Sequence, residues 1–266
     1  MKDITQLFDT EPNARCLFVG SGISGAEAAA HRSDPDWFDR NYDVVLLPNQ
    51  GYEPYVLTAE ATERVRWYSF IIETSVVRYD WFYKIPEAWT RILHTKNMDW
   101  LRKINRRLET GTGYERKQFI DGAFGADRDS YTIPFNPRSD GYKRGFISGD
   151  IDDINHRKGT VLLQAMHFAA LLGAHSFDFT GCELCFANGV QHYFEEGEPF
   201  ARAESDFPEW FTWVRFNGKW CKTHKHFANS AEFIDRIYPQ FTNAGMKVTR
   251  CCDSLIERIP RGELPQ

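Results

Sequence analysis

The sequence has little charge of either sign to spare: 32 Lys+Arg stand against 37 Asp+Glu over 266 residues, a formal net charge of −5. Its basic clusters are short, at residues 102–107 and at Arg116-Lys117, so the electrostatic footprint of a nucleic-acid binder is missing. No apolar run approaches the roughly 20 residues that span a bilayer, and the longest apolar-rich stretch, residues 161–174, carries Gln164 and His167. The opening Met-Lys-Asp-Ile-Thr lacks the basic and apolar regions of a signal peptide. Together these absences predict a soluble, cytoplasmic protein, with at most peripheral contact at the inner face of a membrane. Six cysteines, at 16, 182, 185, 221, 251 and 252, read as reduced thiols in that compartment. A chain of this length buries roughly three quarters of its unfolded surface and needs no disulfide or metal to hold it.

What the chain has in quantity is aromatics, 15% of its residues, including 8 Trp and 11 Tyr. Such a surplus either fills a core or lines a site for sugars, nucleobases or other flat ligands. Residues 15–19 form a short apolar run ending in Gly20-Ser21-Gly22-Ile23-Ser24-Gly25, followed by Ala26-Glu27-Ala28-Ala29-Ala30. Strand, glycine turn and helix is the natural parse, with backbone N–H groups of the turn able to face a phosphate. Strands are expected at 43–47, ending in a loop Pro48-Asn49-Gln50-Gly51, and at 65–72. Residues 76–150 read as partly irregular, with Trp81, Trp89 and Trp100 in helices. Helical spacing returns over 158–172, stopped by Gly173, with a strand at 176–180 ending in Gly181. Residues 187–227 read as a long excursion over the sheet edge, a length that marks functional lids. A helix at 230–238 stopped by Pro239, a strand at 246–250 and a short helix from Ser254 close the chain. The βα-like units define an α/β protein with a mostly parallel sheet, whose ligand loops lie at the strands' C-terminal ends.

Three motifs carry chemistry. Gly20-x-Gly22-x-x-Gly25 satisfies the dinucleotide fingerprint literally, but the second strand ends in Asn49-Gln50 where a flavin or NAD site places an acidic residue for the ribose. A dinucleotide site, another phosphate or nucleotide site and a simple tight turn all remain open. Cys182-x-x-Cys185 with Cys221-x-x-His224 has zinc-ligand spacing, against the plainer reading of buried thiols, which we favour, so no metal is expected. His192, Tyr193, Lys222, His224, Lys225 and His226 form a polar cluster in the late excursion. A histidine there could serve as general base and a tyrosine could hydrogen-bond a departing phosphate, or all could be solvated surface residues.

In their order, these pieces resemble the bacterial sialyltransferases that use a CMP-sialic acid donor in lipooligosaccharide biosynthesis. Gly20-Ser21-Gly22-Ile23-Ser24 sits where that family has its Gly-Asn-Gly-Pro-Ser turn, and Asn49-Gln50-Gly51-Tyr52 is similar to the end of its second strand. Arg157-Lys158-Gly159-Thr160-Val161, the helix ending at Gly173 and the segment Gly181-Cys182-Glu183-Leu184 follow in similar order. Tyr193 is similar in position to the second of the family's two leaving-group tyrosines, the first having no counterpart. His226, with His224 as a close rival, lies where the family's base is found.

The resemblance implies a Rossmann-like sheet flanked by helices, formed by residues 1–186 and 227–266, with a lid at 187–226. It implies transfer of a sugar, sialic acid above all, from a nucleotide-sugar donor to a glycan or glycolipid acceptor, with no cofactor, no metal and no nucleic acid, and it leaves a homo-oligomer open. Gly20, Ser21, Gly22, Ser24, Asn49, Gln50, Gly159, Thr160 and Gly181 would then bind the donor. Tyr193 would face the phosphate and His226 would take the acceptor proton. Arg157 would pair with a carboxylate or phosphate, or else with Asp150, Asp152 or Asp153. The alternatives are a flavin- or NAD-dependent oxidoreductase using the glycine turn, a related phosphate-binding transferase such as a pterin diphosphokinase-like enzyme, and a non-catalytic sugar- or protein-binding module.

Overall fold

The computed structural model describes residues 2–71, 84–86, 88–94, 130–133, 160–185 and 208–266. Within them, eight strands form one all-parallel sheet: β1 (Lys2–Asp3), β2 (Arg15–Val19), β3 (Val44–Pro48), β4 (Arg66–Ile71), β5 (Thr90–His94), β6 (Ser130–Ile133), β7 (Ser176–Thr180) and β10 (Lys247–Arg250). Their spatial order is β1-β6-β5-β4-β3-β2-β7-β10. The chain builds outward from β2 in one direction through β3, β4, β5 and β6, and in the other through β7 and β10. The order therefore reverses between β2 and β7, and a crevice opens at the C-terminal ends of those strands. A separate antiparallel hairpin pairs β8 (Phe211–Phe216) with β9 (Lys219–His224).

Strand alternation splits the core in two. Cys16, Phe18, Val44, Leu46, Tyr68 and Phe70 pack with α4 (Val161–Leu172) and α5 (Lys225–Asn243). Leu17, Val19, Val45, Leu47, Trp67 and Ile71 turn the other way. There they meet α1 (Gly25–Ala30), α3 (Val56–Ala61) and α2 (Pro35–Asn41), whose Asp34 cap accepts the Trp37 N–H at 3.1 Å. With both faces covered, the strands read as near-continuous apolar runs. Much of the aromatic surplus is core of this second face: Trp67 stacks on Trp89 at 5.4 Å and Trp37 meets Phe38 edge-on at 4.8 Å.

The α/β architecture with a parallel sheet is as expected, and Gly173 ends α4 at φ +90, with its N–H donated to Ala169 and Ala170. Several local expectations are corrected. The 49–51 loop is the start of a 3-10 turn over Asn49–Tyr55. Trp89 lies just ahead of β5 and not in a helix, while Trp81 and Trp100 fall outside the described residues. The later part of the 187–227 excursion is the β8–β9 hairpin. Its turn, Asn217-Gly218 with φ of 48 and 77, is the left-handed pair that suits a two-residue hairpin.

The expected stop at Pro239 also fails, because α5 runs through it from Lys225 to Asn243. One lost N–H is outweighed by burying Phe241 beyond it on the same face as Phe233, Ile234 and Ile237. No helix forms after Ser254. That backbone is bonded to other segments instead: Leu255 N–H donates to the Glu183 carbonyl (3.0 Å), and those of Glu257 and Arg258 to the Asp235 carboxylate (2.9 and 2.8 Å). Among the described residues no helix is long and apolar enough to cross a membrane.

Candidate active site at the reversal of strand order

The loop after β7, Gly181-Cys182-Glu183-Leu184-Cys185, is the junction of the site. Gly181 adopts φ +67 and touches the glycine turn so closely that a Cβ on Gly20 would overlap its carbonyl oxygen. Gly20 N–H donates to the Thr180 carbonyl (2.8 Å) and Gly22 N–H to that of Gly181 (2.9 Å). Ser24 closes the arrangement, its hydroxyl accepting the Gly181 N–H (2.9 Å) and its N–H donating to Glu183 Oε1 (2.7 Å). Glu183 is buried, and its Oε2 sits where a side chain on Gly22 would be. In this conformation the protein's own carboxylate therefore occupies the anion-accepting side of the turn.

The same loop anchors the hairpin and the C-terminal segment. Thr223 of β9 donates to the Leu184 carbonyl (2.6 Å), and the Ser254 hydroxyl to that of Cys182 (2.6 Å). Asp253 joins the other two, accepting from Asn217 Nδ2 at the hairpin turn (2.7 Å) and pairing with Arg261 (2.8 Å). Between these pieces lies a cavity of about 1110 Å³. Its walls are Ser24, Glu27 and His31 from the glycine turn and α1 side, Glu183 from the loop after β7, Phe216, Lys219, Trp220 and Cys221 from the hairpin, and Cys251, Cys252 and residues 261–266. Trp37 Nε1 holds the last stretch by donating to the Pro265 carbonyl (2.9 Å), and His31 stacks on the Trp37 ring at 4.1 Å.

Of the predicted site residues, Gly20, Ser21, Gly22, Ser24 and Gly181 are thus brought together at one place. Asn49 and Gln50 follow β3, the neighbouring strand, and Thr160 caps α4 without a side-chain bond to its helix. Asn49 Oδ1 and Thr160 Oγ1 are buried oxygens with no hydrogen-bond partner among the described residues, as are Ser69 Oγ and Gln164 Oε1 away from the predicted site. Arg157, Gly159 and Tyr193 fall outside the described residues.

His224 caps α5, its Nδ1 accepting the His226 N–H at 3.1 Å, amid Trp210, Phe211 and Phe227. Burial, and secondarily the neighbouring His226, pushes its pKa below the usual histidine value. His226 itself is exposed on the first turn of α5, and neither histidine lines the cavity.

Among the described residues no group of three or more His, Cys, Asp or Glu side chains stands together as a metal ligand set. Cys182 and Cys185 are buried and Cys221 half-buried, all as free thiols. Burial drives the thiol of Cys252 up to about 11 and that of Cys251 to about 12.

Sequence reasoning passed over Glu183 and His31. His31 lies one helical turn beyond Glu27, a spacing that puts both on one side of α1, and this signal was readable. Glu183 has no such signal, since its partner Ser24 is 159 residues away.

Fold and site together define an α/β protein of Rossmann type with a cleft at the reversal of strand order. No family model matches the chain, and no curated protein matches it in sequence. Its fold is similar to that of the Maf glycosyltransferase from Magnetospirillum magneticum AMB-1, with a TM-score of 0.50 at 12% identity. That alignment covers 97% of this chain and 37% of the other, so the chain spans little more than a third of that protein's length.

Proposed function

We propose that the protein is a glycosyltransferase that moves a sugar, sialic acid in the most specific form of this reading, from a CMP-sugar donor to a glycan or glycolipid acceptor. The observation that carries the reading is the cavity itself. It lies at the carboxyl ends of β2 and β7, in a fold shared with a glycosyltransferase, and is walled by the glycine turn on one side and the hairpin on the other. The unpartnered oxygens of Asn49 and Thr160 do not line that cavity, but they stand at two positions expected to bind the donor and support a polar ligand there.

In this reaction the bond from the anomeric carbon to the CMP phosphate oxygen breaks, and its electron pair leaves on the phosphate. The acceptor oxygen bonds the same carbon and would give its proton to His226, which lies outside the cavity lining on the exposed first turn of α5 and, unlike His224, leaves the capping of that helix to its neighbour. Tyr193 would donate to the departing phosphate, and backbone N–H groups would meet the rest of its charge with neither metal nor cofactor. The hairpin and the residues before it would keep water from the donor. A second candidate for the base is favoured by one specific observation: His31 lines the cavity and is held by stacking on Trp37.

A flavin or NAD enzyme is the weaker reading. Strand β3 leads into Asn49-Gln50 and not into the acidic residue that a dinucleotide ribose takes. The glycine turn does not separate the two readings, since either donor's phosphate would have to displace Glu183 and compete with the bonds that Gly22 and Ser24 already make. A panel of CMP, UDP, GDP, NAD and FAD, read by melting temperature, tests the donor. Cytidine nucleotides should raise it and Asn49→Ala with Thr160→Ala should cancel the rise, whereas a rise with NAD or FAD alone would favour the oxidoreductase. With the donor in hand, His226→Ala should abolish transfer and spare donor binding. If His31→Ala does so instead, the base is His31.

A further inference from the structure

The two faces of the β8–β9 hairpin differ in kind. Thr223 and Cys221 face the loop after β7 and the cavity. The opposite face carries Phe211, Trp213 and Arg215 against His224, Lys222 and Trp220, in that register, with Phe211 buried and Trp220, beside the turn, also reaching the cavity. Trp213 lies across from Lys222 and Arg215 across from Trp220, so the two indoles occupy one diagonal and the two cations the other. The Lys222 ammonium lies 5.3 Å from the centre of the Trp213 ring. Trp213 is 60% and Trp220 72% exposed, and Trp210, just before β8, is 48% exposed. Large indoles exposed to this degree and grouped on one element are not ordinary surface.

The charge of the same element stands apart from that of the molecule. From Phe211 to His224 the hairpin carries three cations, Arg215, Lys219 and Lys222, and no Asp or Glu, in a chain whose net charge is −5. We infer that the outer face of the β8–β9 hairpin docks on an anionic phospholipid surface. The indoles would sit at headgroup depth and Arg215 and Lys222 on lipid phosphates. Indole is the side chain that prefers that interface, with an apolar body and one N–H, and a cation near an anionic bilayer gains from its surface potential. The chemistry favours a membrane over a nucleic acid. A single two-stranded ribbon offers few cations to track a phosphate backbone, and the acidic remainder of the protein repels a long polyanion, whereas a planar surface needs only the one projecting element. Because the hairpin's other face walls the cavity, docking places the cavity beside the lipid, where a glycolipid acceptor would be presented. That last consequence rests on the transfer reading; the docking does not.

The test uses the full chain and vesicles of phosphatidylcholine alone or mixed with phosphatidylglycerol, read by co-sedimentation and tryptophan emission, with a single-stranded RNA oligonucleotide titrated in parallel. The protein should sediment with the mixed vesicles only, with a blue shift in emission and a bound fraction that falls with salt. Arg215→Glu with Lys222→Glu should weaken the partition about tenfold or more, and Trp213→Ser with Trp220→Ser should remove the blue shift. Trp213, Arg215 and Trp220 are exposed and Lys222 half-buried, and both variants should melt with the parent. Failure to sediment with mixed vesicles, undiminished binding by the charge-reversed variant, or tighter binding to RNA with the same dependence on residues would each overturn the inference. No arm requires catalysis, so failure here leaves the nucleotide panel untouched, and failure of the panel leaves this result standing.

Discussion

Gly20 and Gly181 are placed where two strand ends come closer than any side chain permits. At Gly20 the obstacle is the Gly181 carbonyl, which cannot move without breaking the bonds of both loops, whereas at Gly22 the nearest obstacle is the end of the Glu183 side chain. Gly20→Ala should therefore lower stability by about 1–3 kcal/mol or more in urea unfolding, and by more than Gly22→Ala does. A Gly20→Ala variant as stable as the parent would mean that the two loops do not touch. The thiols differ at the same scale. Cys251 and Cys252 are held protonated at neutral pH by burial, and the half-buried Cys221 lines the cavity. A thiol reagent should show one fast phase on the native protein, lost in Cys221→Ser, with all six cysteines reacting in denaturant.

Among the elements, α5 begins on an unusual cap. The Nδ1 of His224 accepts a hydrogen bond only when it is unprotonated, and its pKa is already lowered by burial. With the folded value below the ordinary 6.5, the unfolded chain binds the proton more readily. The stabilisation is therefore fully present above that ordinary value and is lost as the pH falls through it toward the folded value. His224→Ala should cost about 1 kcal/mol at neutral pH. The gap in melting temperature between parent and variant should narrow as the pH is lowered from about 8 to about 5. A constant gap would contradict the cap.

This scale also shows how far the sequence could be read. The strands β2, β3 and β4 were legible as apolar runs and helix α4 as a clean helical period closed by Gly173, while β7 and β10 were marked by the glycines beside them, Gly181 and Gly245. The hairpin was missed although Asn217-Gly218 is a strong turn signal, because the exposed Trp213, Arg215 and Trp220 blur the alternation. Helix α5 beyond Pro239 and the unhelical stretch after Ser254 are decided by partners far away in the chain, Phe241 on the sheet and Asp235 on the backbone of Glu257 and Arg258. The site divides the same way. The glycine turn announces itself locally, but the carboxylate that fills it comes from across the fold.

For the whole molecule, the order of strands positions everything else. Parallel strands laid outward from β2 in both directions leave one crevice, and the glycine turn, Glu183, the hairpin and the closing segment converge on it. Among the described residues the hairpin is a cationic, indole-bearing element beside that crevice, so the proposed donor cleft and the proposed docking surface would share it. The measurement that most directly tests the central claim is the melting temperature with and without CMP at millimolar concentration. A rise that Asn49→Ala with Thr160→Ala removes is what the account predicts, and no rise with any cytidine nucleotide would contradict it.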